Sequence, residues 1–324
     1  MRAWRVHDWG EPESMSFEDI AMPAPGPGQV RIRNHAVGLN FFDILQVQGK
    51  YQIKPPFPFT PGAEVAGIVD AAGPGVTEFA PGQPVLAITH GSGMAECTLS
   101  RSDMTFPIPD GMDFAAAAAL PIVYHTSYFA LRDRAPLQAG EWLLVHAGAS
   151  GVGVSAIQLG RAFGARVIAT AGSSEKLEFA KAQGAEHALS YSDGTWVDQV
   201  KLLTGGRGAD VIYDPVGCDV FDLSTKCIAP GGRLVVIGFA SGRIPSIAAN
   251  RILLKNISIV GALWGGHALA HPEYLGVAQQ ALADLYSKGE IRPPQPMQYP
   301  LDQAPTALRA LADRKVLWKA VLTT

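Results

Sequence analysis

The chain has 324 residues, of which 48% are hydrophobic and 17% charged, so it can bury a large core and fits two compact domains. Its net charge of −3 and the lack of a basic run argue against nucleic acid, whose binding relies on many lysine and arginine side chains. The longest apolar stretch, 114–123, contains a proline and is too short for a membrane-spanning helix. We therefore expect a globular protein with neither a nucleic-acid nor a membrane partner.

The N-terminal segment and the cysteines indicate the compartment. The first residues carry acids and glycine where a secretory signal would have an apolar core, which predicts no export signal. Cys97, Cys218 and Cys227 form no CxxC pair, so we expect reduced structural thiols. A cytoplasmic location follows from this reasoning, with an organellar one left open.

The first 120 residues combine short β-rich segments with proline and glycine. Segments 29–37 and 64–71 are predicted strands, and strings such as KPPFPFTPG interrupt the regular structure. This pattern predicts an irregular, mostly β domain.

After Gly140, apolar strands alternate with helical segments. The strands are WLLVHA, RVIATA, DVIYD, RLVVIGF and NISIVGAL. Strands that are apolar on both faces are typical of a parallel sheet covered by helices, so the fold class is predicted to be α/β. Helices are predicted near 274–288 and 303–314, and we expect this C-terminal tail to return to the first domain.

A strand, a glycine-rich turn and a helix follow one another at 142–163. The glycines are spaced GxxGxG rather than GxGxxG, but the complete strand–turn–helix context predicts a pyrophosphate-binding loop. A purely structural turn is the alternative. Four apolar positions predict one buried face of the helix: Val152, Ala156, Leu159 and Phe163. The candidate cofactor-binding residues of the loop are Gly148, Ala149, Ser150, Gly151, Val152 and Gly153.

The tip of the next strand indicates which dinucleotide binds. NAD sites place an acid about 20 residues beyond the glycines, whereas this strand ends in Gly172 and Ser173. The hydroxyl of Ser173 and the ammonium of Lys176 favour the 2′-phosphate of NADP(H). As alternatives, Ser173 caps the following helix and Lys176 is a solvated charge.

Four segments carry a resemblance to a known family: GLNFFDILQVQGKYQIKPPFPFTPGAEVAG, ALPIVYHTSYFAL, VHAGASGVG and LLKNISIVGALWG. Together they resemble the zinc-free quinone oxidoreductase family of medium-chain dehydrogenases/reductases, and the GKYQ and LLKNIS strings resemble the quinone oxidoreductase-like protein 2 group. The resemblance spans nearly the whole chain. It implies a GroES-like catalytic domain at 1–120 completed by 264–324, a doubly wound Rossmann domain at 121–263, and NADPH as cofactor. It also implies a homodimer, joined through an apolar edge strand at 256–263.

The resemblance bears on the metal and the reaction. Zinc-dependent relatives carry a cysteine at the position of Asn40 and a histidine at that of Ala63, so this chain lacks two of the usual ligands and no metal is expected. Without a Lewis acid, the implied reaction is hydride delivery to an electron-poor small molecule, either a quinone or an activated alkene.

The resemblance also implies roles for single residues. Asn40 and Asp43 should line the nicotinamide end, although Asn40 could be a turn residue and Asp43 a helix cap. Tyr51 in QGKY resembles the proton-donating tyrosine of enoyl thioester reductases, with an aromatic wall of the pocket as the alternative. Further implied cofactor contacts are Thr126, Tyr191, Gly238, Phe239, Leu263, Trp264 and Arg314.

Three functions stay open on this reading of the sequence. The first is NADPH-dependent reduction of quinones, by hydride or electron transfer. The second is an NADPH-dependent enal, enone or enoyl-thioester reductase in which Tyr51 donates a proton. The third is an NADPH-binding sensor with little catalysis, because a fold does not guarantee an activity.

Overall fold

The structure is a computed structural model that describes residues 1–89, 91–192 and 194–324. The chain forms two compact units. The first comprises Met1–Ile122, His271–Ala283 and Pro293–Thr324, and the second comprises Val123–Ala270 and Asp284–Arg292. These bounds differ from those expected at 120 and 263, because 264–270 follows directly from the last strand of the second unit and packs with it.

Strands and helices are numbered here in chain order. The strands are β1 (Arg2–Arg5), β2 (Ser16–Asp19), β3 (Gln29–Gly38), β4 (Glu64–Ala72), β5 (Pro84–Ile88), β6 (Cys97–Arg101), β7 (Thr105–Pro107), β8 (Trp142–Val145), β9 (Arg166–Ala171), β10 (His187–Ser190), β11 (Ala209–Asp214), β12 (Ile228–Val236), β13 (Ser258–Gly261), β14 (Met297–Pro300) and β15 (Ala320–Thr323). The helices are α1 (Phe41–Val47), α2 (Phe114–Ala118), α3 (Pro121–Tyr128), α4 (Gly151–Ala162), α5 (Ser174–Ala182), α6 (Trp196–Leu203), α7 (Cys218–Cys227), α8 (Ala249–Lys255), α9 (Trp264–Ala270), α10 (Pro272–Ser287) and α11 (Ala304–Ala312). A π-helix at Phe129–Arg134 continues α3. Among the described residues, none of the helices is both long and apolar enough to cross a membrane.

The first unit is built on a seven-stranded sheet. Its order is β14-β15-β3-β4-β5-β7, with β6 paired to β3. Strand β3 is central because Val30 and Ile32 alternate with outward residues and are fully buried. The C-terminal strand β15 pairs antiparallel with β3, so the last residues of the chain join the sheet of β3–β7. The strands predicted at 29–37 and 64–71 correspond to β3 and β4.

The second unit is built on a six-stranded parallel sheet in the order β10-β9-β8-β11-β12-β13. This arrangement confirms the predicted α/β fold with a Rossmann-type sheet. The chain winds outward from β8 in one direction and from β11 in the other, and open α/β sheets bind ligands where the strand order reverses. Strand β10 was not predicted, since HALS is short and only half-buried.

Helix α4 is buried more completely than its sequence pattern suggested. Ala156 and Leu159 are fully buried as predicted, but Val152 and Phe163 are only partly covered. All residues from Gly153 to Gly160 are buried. The prediction of a single buried face was therefore wrong, because small residues such as Gly153 and Ser155 let the helix pack on several sides.

Candidate functional site

The glycine-rich loop joins β8 to α4 at the reversal of strand order. Ala147 has a positive φ of 51°, and the Ser150 hydroxyl caps α4 by accepting from the amide of Gly153 at 3.2 Å. A Cβ on Gly153 would lie 2.2 Å from the carbonyl oxygen of Ala147, so only glycine permits this close turn. The amides of Gly151 and Val152 lie in the first turn, where no intrahelical carbonyl is available to them. The loop thus has the geometry of an anion-binding helix start.

The tip of β9 lies beside this loop in the same sheet. Ser173 caps α5, because its hydroxyl accepts from the amide of Lys176. Ser173 is exposed and Lys176 half-exposed, so both remain accessible to a ligand. The helix-capping alternative for Ser173 is therefore met, and it does not conflict with anion binding at the helix start.

Tyr191 follows β10, next to β9. Its phenolic oxygen accepts a hydrogen bond from the amide of Ala147 at 2.9 Å, and burial raises the pKa of the phenol. The structure thereby brings Tyr191 to the beginning of the glycine loop.

Other predicted cofactor residues follow the carboxyl ends of β12 and β13. Gly238 and Phe239 come directly after β12, and Phe239 is 38% exposed. After β13, Leu263 is exposed whereas Trp264 is buried, with no hydrogen-bond partner for its indole nitrogen among the described residues. Carboxyl ends of parallel strands share one edge of a sheet, so these segments lie at the same edge as the glycine loop.

Thr126 and Arg314 complete the predicted cofactor contacts. Thr126 is half-buried in α3, and residue 126 belongs to the second unit. Arg314 is exposed, two residues beyond the end of α11, with a positive φ of 59°, and it belongs to the first unit. The second unit by itself therefore assembles Ser173, Lys176 and Tyr191 without Arg314.

The first unit gathers the predicted catalytic residues around α1. Asn40 is the N-cap position of this helix, and its backbone amide donates to Oδ2 of Asp43 at 2.7 Å. Asn40 is 7% exposed and Asp43 fully buried. The expectation that Asp43 caps a helix is met, and the same contact fixes both residues relative to one another.

A buried ion pair supports Asn40. The ammonium of Lys319 donates to Oε1 of Glu64 at 2.5 Å and to Oδ1 of Asn40 at 2.8 Å. The amide nitrogen of Asn40 donates to the same Glu64 oxygen at 2.8 Å. Because lysine only donates and a carboxylate only accepts, the two partners fix which end of the Asn40 amide is oxygen and which is nitrogen. Asn40 is left with one further N–H to offer a ligand.

Burial changes the proton affinity of two groups in this cluster. Desolvation raises the pKa of Asp43 to about 7, while the amide of Asn40 and the charge of Lys319 oppose the rise. Oδ1 of Asp43 accepts no hydrogen bond from any described residue. The ring of Tyr51 stacks on Phe42 with centroids 5.3 Å apart. Burial, and then the charge of Asp43, raises the pKa of Tyr51, so its O–H stays protonated.

A catalytic zinc ion does not fit this cluster. Asn40 and Ala63 offer neither a thiolate nor an imidazole, and the carboxylate of Glu64 is already paired with the ammonium of Lys319. Within 1–89, 91–192 and 194–324, no group of three or more His, Cys, Asp or Glu residues could hold a metal ion.

Several site residues were not predicted from the sequence. Glu64 and Lys319 are 255 positions apart, and nothing local indicates that they meet. The available signal was a charged residue within an apolar string, AEVAG for Glu64 and WKAVL for Lys319. His146 was also missed, although it ends the otherwise apolar strand WLLVH.

Both units match known protein families. The model described as "Alcohol dehydrogenase GroES-like domain" matches residues 26–119. The model described as "Zinc-binding dehydrogenase" matches residues 151–281. The two units thus define an oxidoreductase of the alcohol dehydrogenase-like class.

Individual relatives narrow the class. A quinone oxidoreductase-like protein 2 homolog of Nematostella vectensis is 40% identical over 331 residues, which cover 100% of this chain and 89% of the relative. The quinone oxidoreductase of Escherichia coli, solved in complex with NADPH, has a TM-score of 0.93 at 28% identity, with both chains covered fully (100%). The CurK enoyl reductase has a TM-score of 0.91 at 25% identity, covering 99% of this chain and 98% of that one. The chain belongs to the quinone oxidoreductase family of medium-chain dehydrogenases/reductases, as its sequence motifs indicated.

Proposed function

We propose that the chain is an NADPH-dependent, zinc-independent reductase of quinones. The observation that carries this proposal is the glycine loop at the reversal of strand order, followed by a strand tip that offers Ser173 and Lys176 in place of an acid. The related quinone oxidoreductase of Escherichia coli solved with NADPH supports the same cofactor here.

The loop residues fit a dinucleotide. Glycine at 148 and 153 allows the tight turn, and the first-turn amides of Gly151 and Val152 would bind the pyrophosphate. The hydroxyl of Ser173 would donate a hydrogen bond to the 2′-phosphate, and the ammonium of Lys176 would form an ion pair with it. Segments after β12 and β13 would pass the nicotinamide half: Gly238, Phe239, Leu263 and Trp264.

The chemistry divides between cofactor and protein. NADPH, when bound, supplies a hydride. A quinone accepts that hydride and a proton to become a hydroquinone, and needs no metal because its ring is already electron-poor. Asn40 would orient the acceptor, since Lys319 and Glu64 hold its amide with one N–H available for a carbonyl oxygen. Asp43, held by the amide of Asn40, would keep the start of α1 in place.

A steady-state assay tests the proposal. We expect the purified chain to oxidise NADPH with 1,4-benzoquinone or 9,10-phenanthrenequinone, and to oxidise NADH much more slowly. Adding a zinc chelator should leave the rate unchanged. NADPH consumption no faster than the uncatalysed background with every quinone would reject quinone reduction.

The cofactor preference has its own test. Lys176→Ala should weaken NADPH binding roughly 10-fold, because one charge-assisted contact is lost, and should leave NADH binding unchanged. Lys181→Ala, at an exposed lysine of the same helix, is the matched control. Equal weakening of both dinucleotides would argue that Lys176 does not contact the 2′-phosphate.

Reduction of an activated alkene is the second candidate function. It is favoured by Tyr51, whose raised pKa keeps the O–H protonated beside Asp43, and by the similarity to the CurK enoyl reductase. Tyr51→Phe should then slow alkene reduction by about 10²-fold, in the range usual for a general acid, and spare quinone reduction. Tyr286→Phe serves as control. An unchanged alkene rate in Tyr51→Phe would remove the proton-donor role.

We also propose that the chain forms a homodimer through β13. This strand is the outer edge of the second unit's sheet, and Leu253 and Leu254 just before it are 74% and 78% exposed. Light scattering should give twice the 34.3 kDa of one chain. A particle of the single-chain mass at working concentration would contradict the dimer.

A further inference from the structure

The segment that follows β12 is exposed, although it lies at the edge of the sheet where the cofactor is proposed to bind. Residues 237–248 belong to no helix or strand, and every residue at 239–244 is exposed. We call residues 238–243 the β12 loop. A loop with so little burial samples many conformations unless specific contacts hold it, and a ligand that needs one conformation must then order it on binding.

The backbone of the β12 loop is hydrogen bonded to the turn between β11 and α7. The amide of Ala240 donates to the carbonyl oxygen of Pro215 at 3.0 Å, and the amide of Ser241 donates to that of Val216 at 3.1 Å. The hydroxyl of Ser241 donates to the same Val216 oxygen at 2.7 Å. The loop therefore rests on the turn that precedes α7.

This turn is a firm support. Asp214 is 1% exposed, and its Oδ1 accepts from the amides of Val216 at 2.8 Å and Gly217 at 2.9 Å. Gly217 has a positive φ of 73°, and a Cβ there would lie 3.1 Å from Cδ1 of Phe239. The ring of Phe239 thus packs closely on Gly217, and its position depends on how the β12 loop is held.

Arg243 holds the end of the β12 loop on α7. Its Nε donates to Sγ of Cys218 at 3.2 Å, in the first turn of the helix. One terminal nitrogen donates to Oδ1 of Asp219 at 2.9 Å and to Oδ2 of Asp222 at 3.0 Å. The two aspartates are three positions apart and lie on one face of α7. A single guanidinium can bridge all three side chains because its donors point in several fixed directions.

We propose that Arg243 is a positioning residue for the cofactor: it holds the β12 loop on α7 and so keeps Phe239 beside the nicotinamide half of NADPH. This inference rests on the proposed cofactor. Arg243 acts without touching the dinucleotide, because an ordered loop spares the ligand the cost of ordering it. The ion pairs of Arg243 are exposed and each contributes modestly, so the expected effect is moderate.

Binding titrations test the proposal. Arg243→Ala should weaken NADPH and NADH by the same factor, about fivefold, as for a few exposed ion pairs. The affinity for adenosine 2′,5′-bisphosphate, which lacks the nicotinamide half, should not change. Arg207→Ala, at an exposed arginine that pairs with Asp210 near the start of β11, is the matched control. Equal weakening of all three ligands, or unchanged affinity for all three, would overturn the proposal.

A second variant separates positioning from direct attraction of the cofactor's phosphates. Asp219→Ala combined with Asp222→Ala removes both ion pairs and makes the surface more positive. We expect NADPH and NADH to bind about threefold more weakly, because Arg243 no longer holds the loop. Direct attraction by Arg243 would instead give tighter binding, since its charge would be less neutralised. Tighter or unchanged binding in this variant would overturn the positioning role.

Amide hydrogen exchange gives a readout that needs no cofactor. The amides of Ala240 and Ser241 should exchange about fivefold faster in Arg243→Ala, because the loop opens more often. The amide of Val235, inside β12, should exchange at an unchanged rate. Unchanged exchange at Ala240 and Ser241 would overturn the proposal. If the unaltered chain binds neither dinucleotide, the proposed cofactor and the positioning role both fail, and the exchange rates alone then decide whether Arg243 holds the loop.

Discussion

The two units bury polar side chains in different ways. In the first unit, Lys319 and Glu64 are 3% and 0% exposed and form an ion pair that also holds Asn40. In the second unit, His146 and Thr170 are both fully buried and belong to a chain of neutral hydrogen bonds. One cluster depends on balanced charge, and the other depends on each donor meeting one acceptor.

The difference determines how each cluster responds to change. A buried charge that loses its partner is very costly, because water cannot replace the partner. A neutral hydrogen bond contributes less, and its loss costs roughly 1–3 kcal/mol when a buried group is left unpaired. We therefore expect the first unit to be more sensitive to charge and the second to be more sensitive to the position of single hydroxyl groups.

The largest expected effect comes from breaking the ion pair. Lys319→Met should reduce the free energy of unfolding by about 3–5 kcal/mol, because Glu64 would be left buried without a counter-charge. Urea denaturation measures the loss. Lys319→Met combined with Glu64→Gln should recover at least half of it, and Lys315→Met, at an exposed lysine, should change little. A loss below about 1 kcal/mol in Lys319→Met would mean that the pair is not the main support of this cluster.

The second-largest expected effect is a pH dependence of stability caused by Asp43 in the first unit. Burial raises the pKa of Asp43 from 3.8 to about 7. Between these values the folded chain keeps a proton that the unfolded chain has released, so the stability from this proton is full below 3.8 and is lost as the pH rises through 7. From pH 5 to pH 8 the loss should be about 3 kcal/mol. Asp43→Asn should flatten this slope, whereas Asp302→Asn, at an exposed carboxylate, should keep it.

The outcome against this prediction is equally direct. The denaturation midpoint of the unaltered chain should decrease from about pH 5 to about pH 8. If the midpoint of Asp43→Asn decreases by the same amount over this range, another group causes the pH dependence of stability.

The smallest expected effect concerns His146 in the neutral hydrogen-bond chain. Its contribution to stability decreases toward low pH, whereas that of Asp43 decreases toward high pH. Burial lowers the pKa of His146 from 6.5 to about 3, so between these values only the unfolded chain binds the proton. The stability from the neutral ring is present above 6.5 and is lost as the pH falls. From pH 7 to pH 5 the loss should be about 2 kcal/mol.

His146→Gln should remove this acid-side slope, since glutamine cannot take up a proton in this range. His271→Gln, at an exposed histidine, is the control. Thermal unfolding measured at both pH values checks the result. A slope that persists in His146→Gln would mean that the ring is not kept neutral by burial.

The parts of the candidate site that were predictable lie close together in the sequence. The glycine loop and the tip of β9 each follow a strand directly, so a local pattern was enough to find Ser150 and Ser173. The partners of Asn40 were not predictable, because Glu64 comes from the neighbouring strand and Lys319 enters with the last strand of the chain. Tyr191 was found only through the family resemblance, and its bond to Ala147 appears only in the folded unit.

The sequence by itself determined the α/β class and the glycine-rich turn between β8 and α4, because each depends on residue types at short spacing. The tertiary structure alone decided which buried polar groups meet. Lys319 has a counter-charge, and the ring nitrogens of His146 have hydroxyl partners, only after distant strands and helices have packed around them. The physical reason is that a buried donor or charge is stabilised by its partners in space, and spacing along the chain does not record those partners.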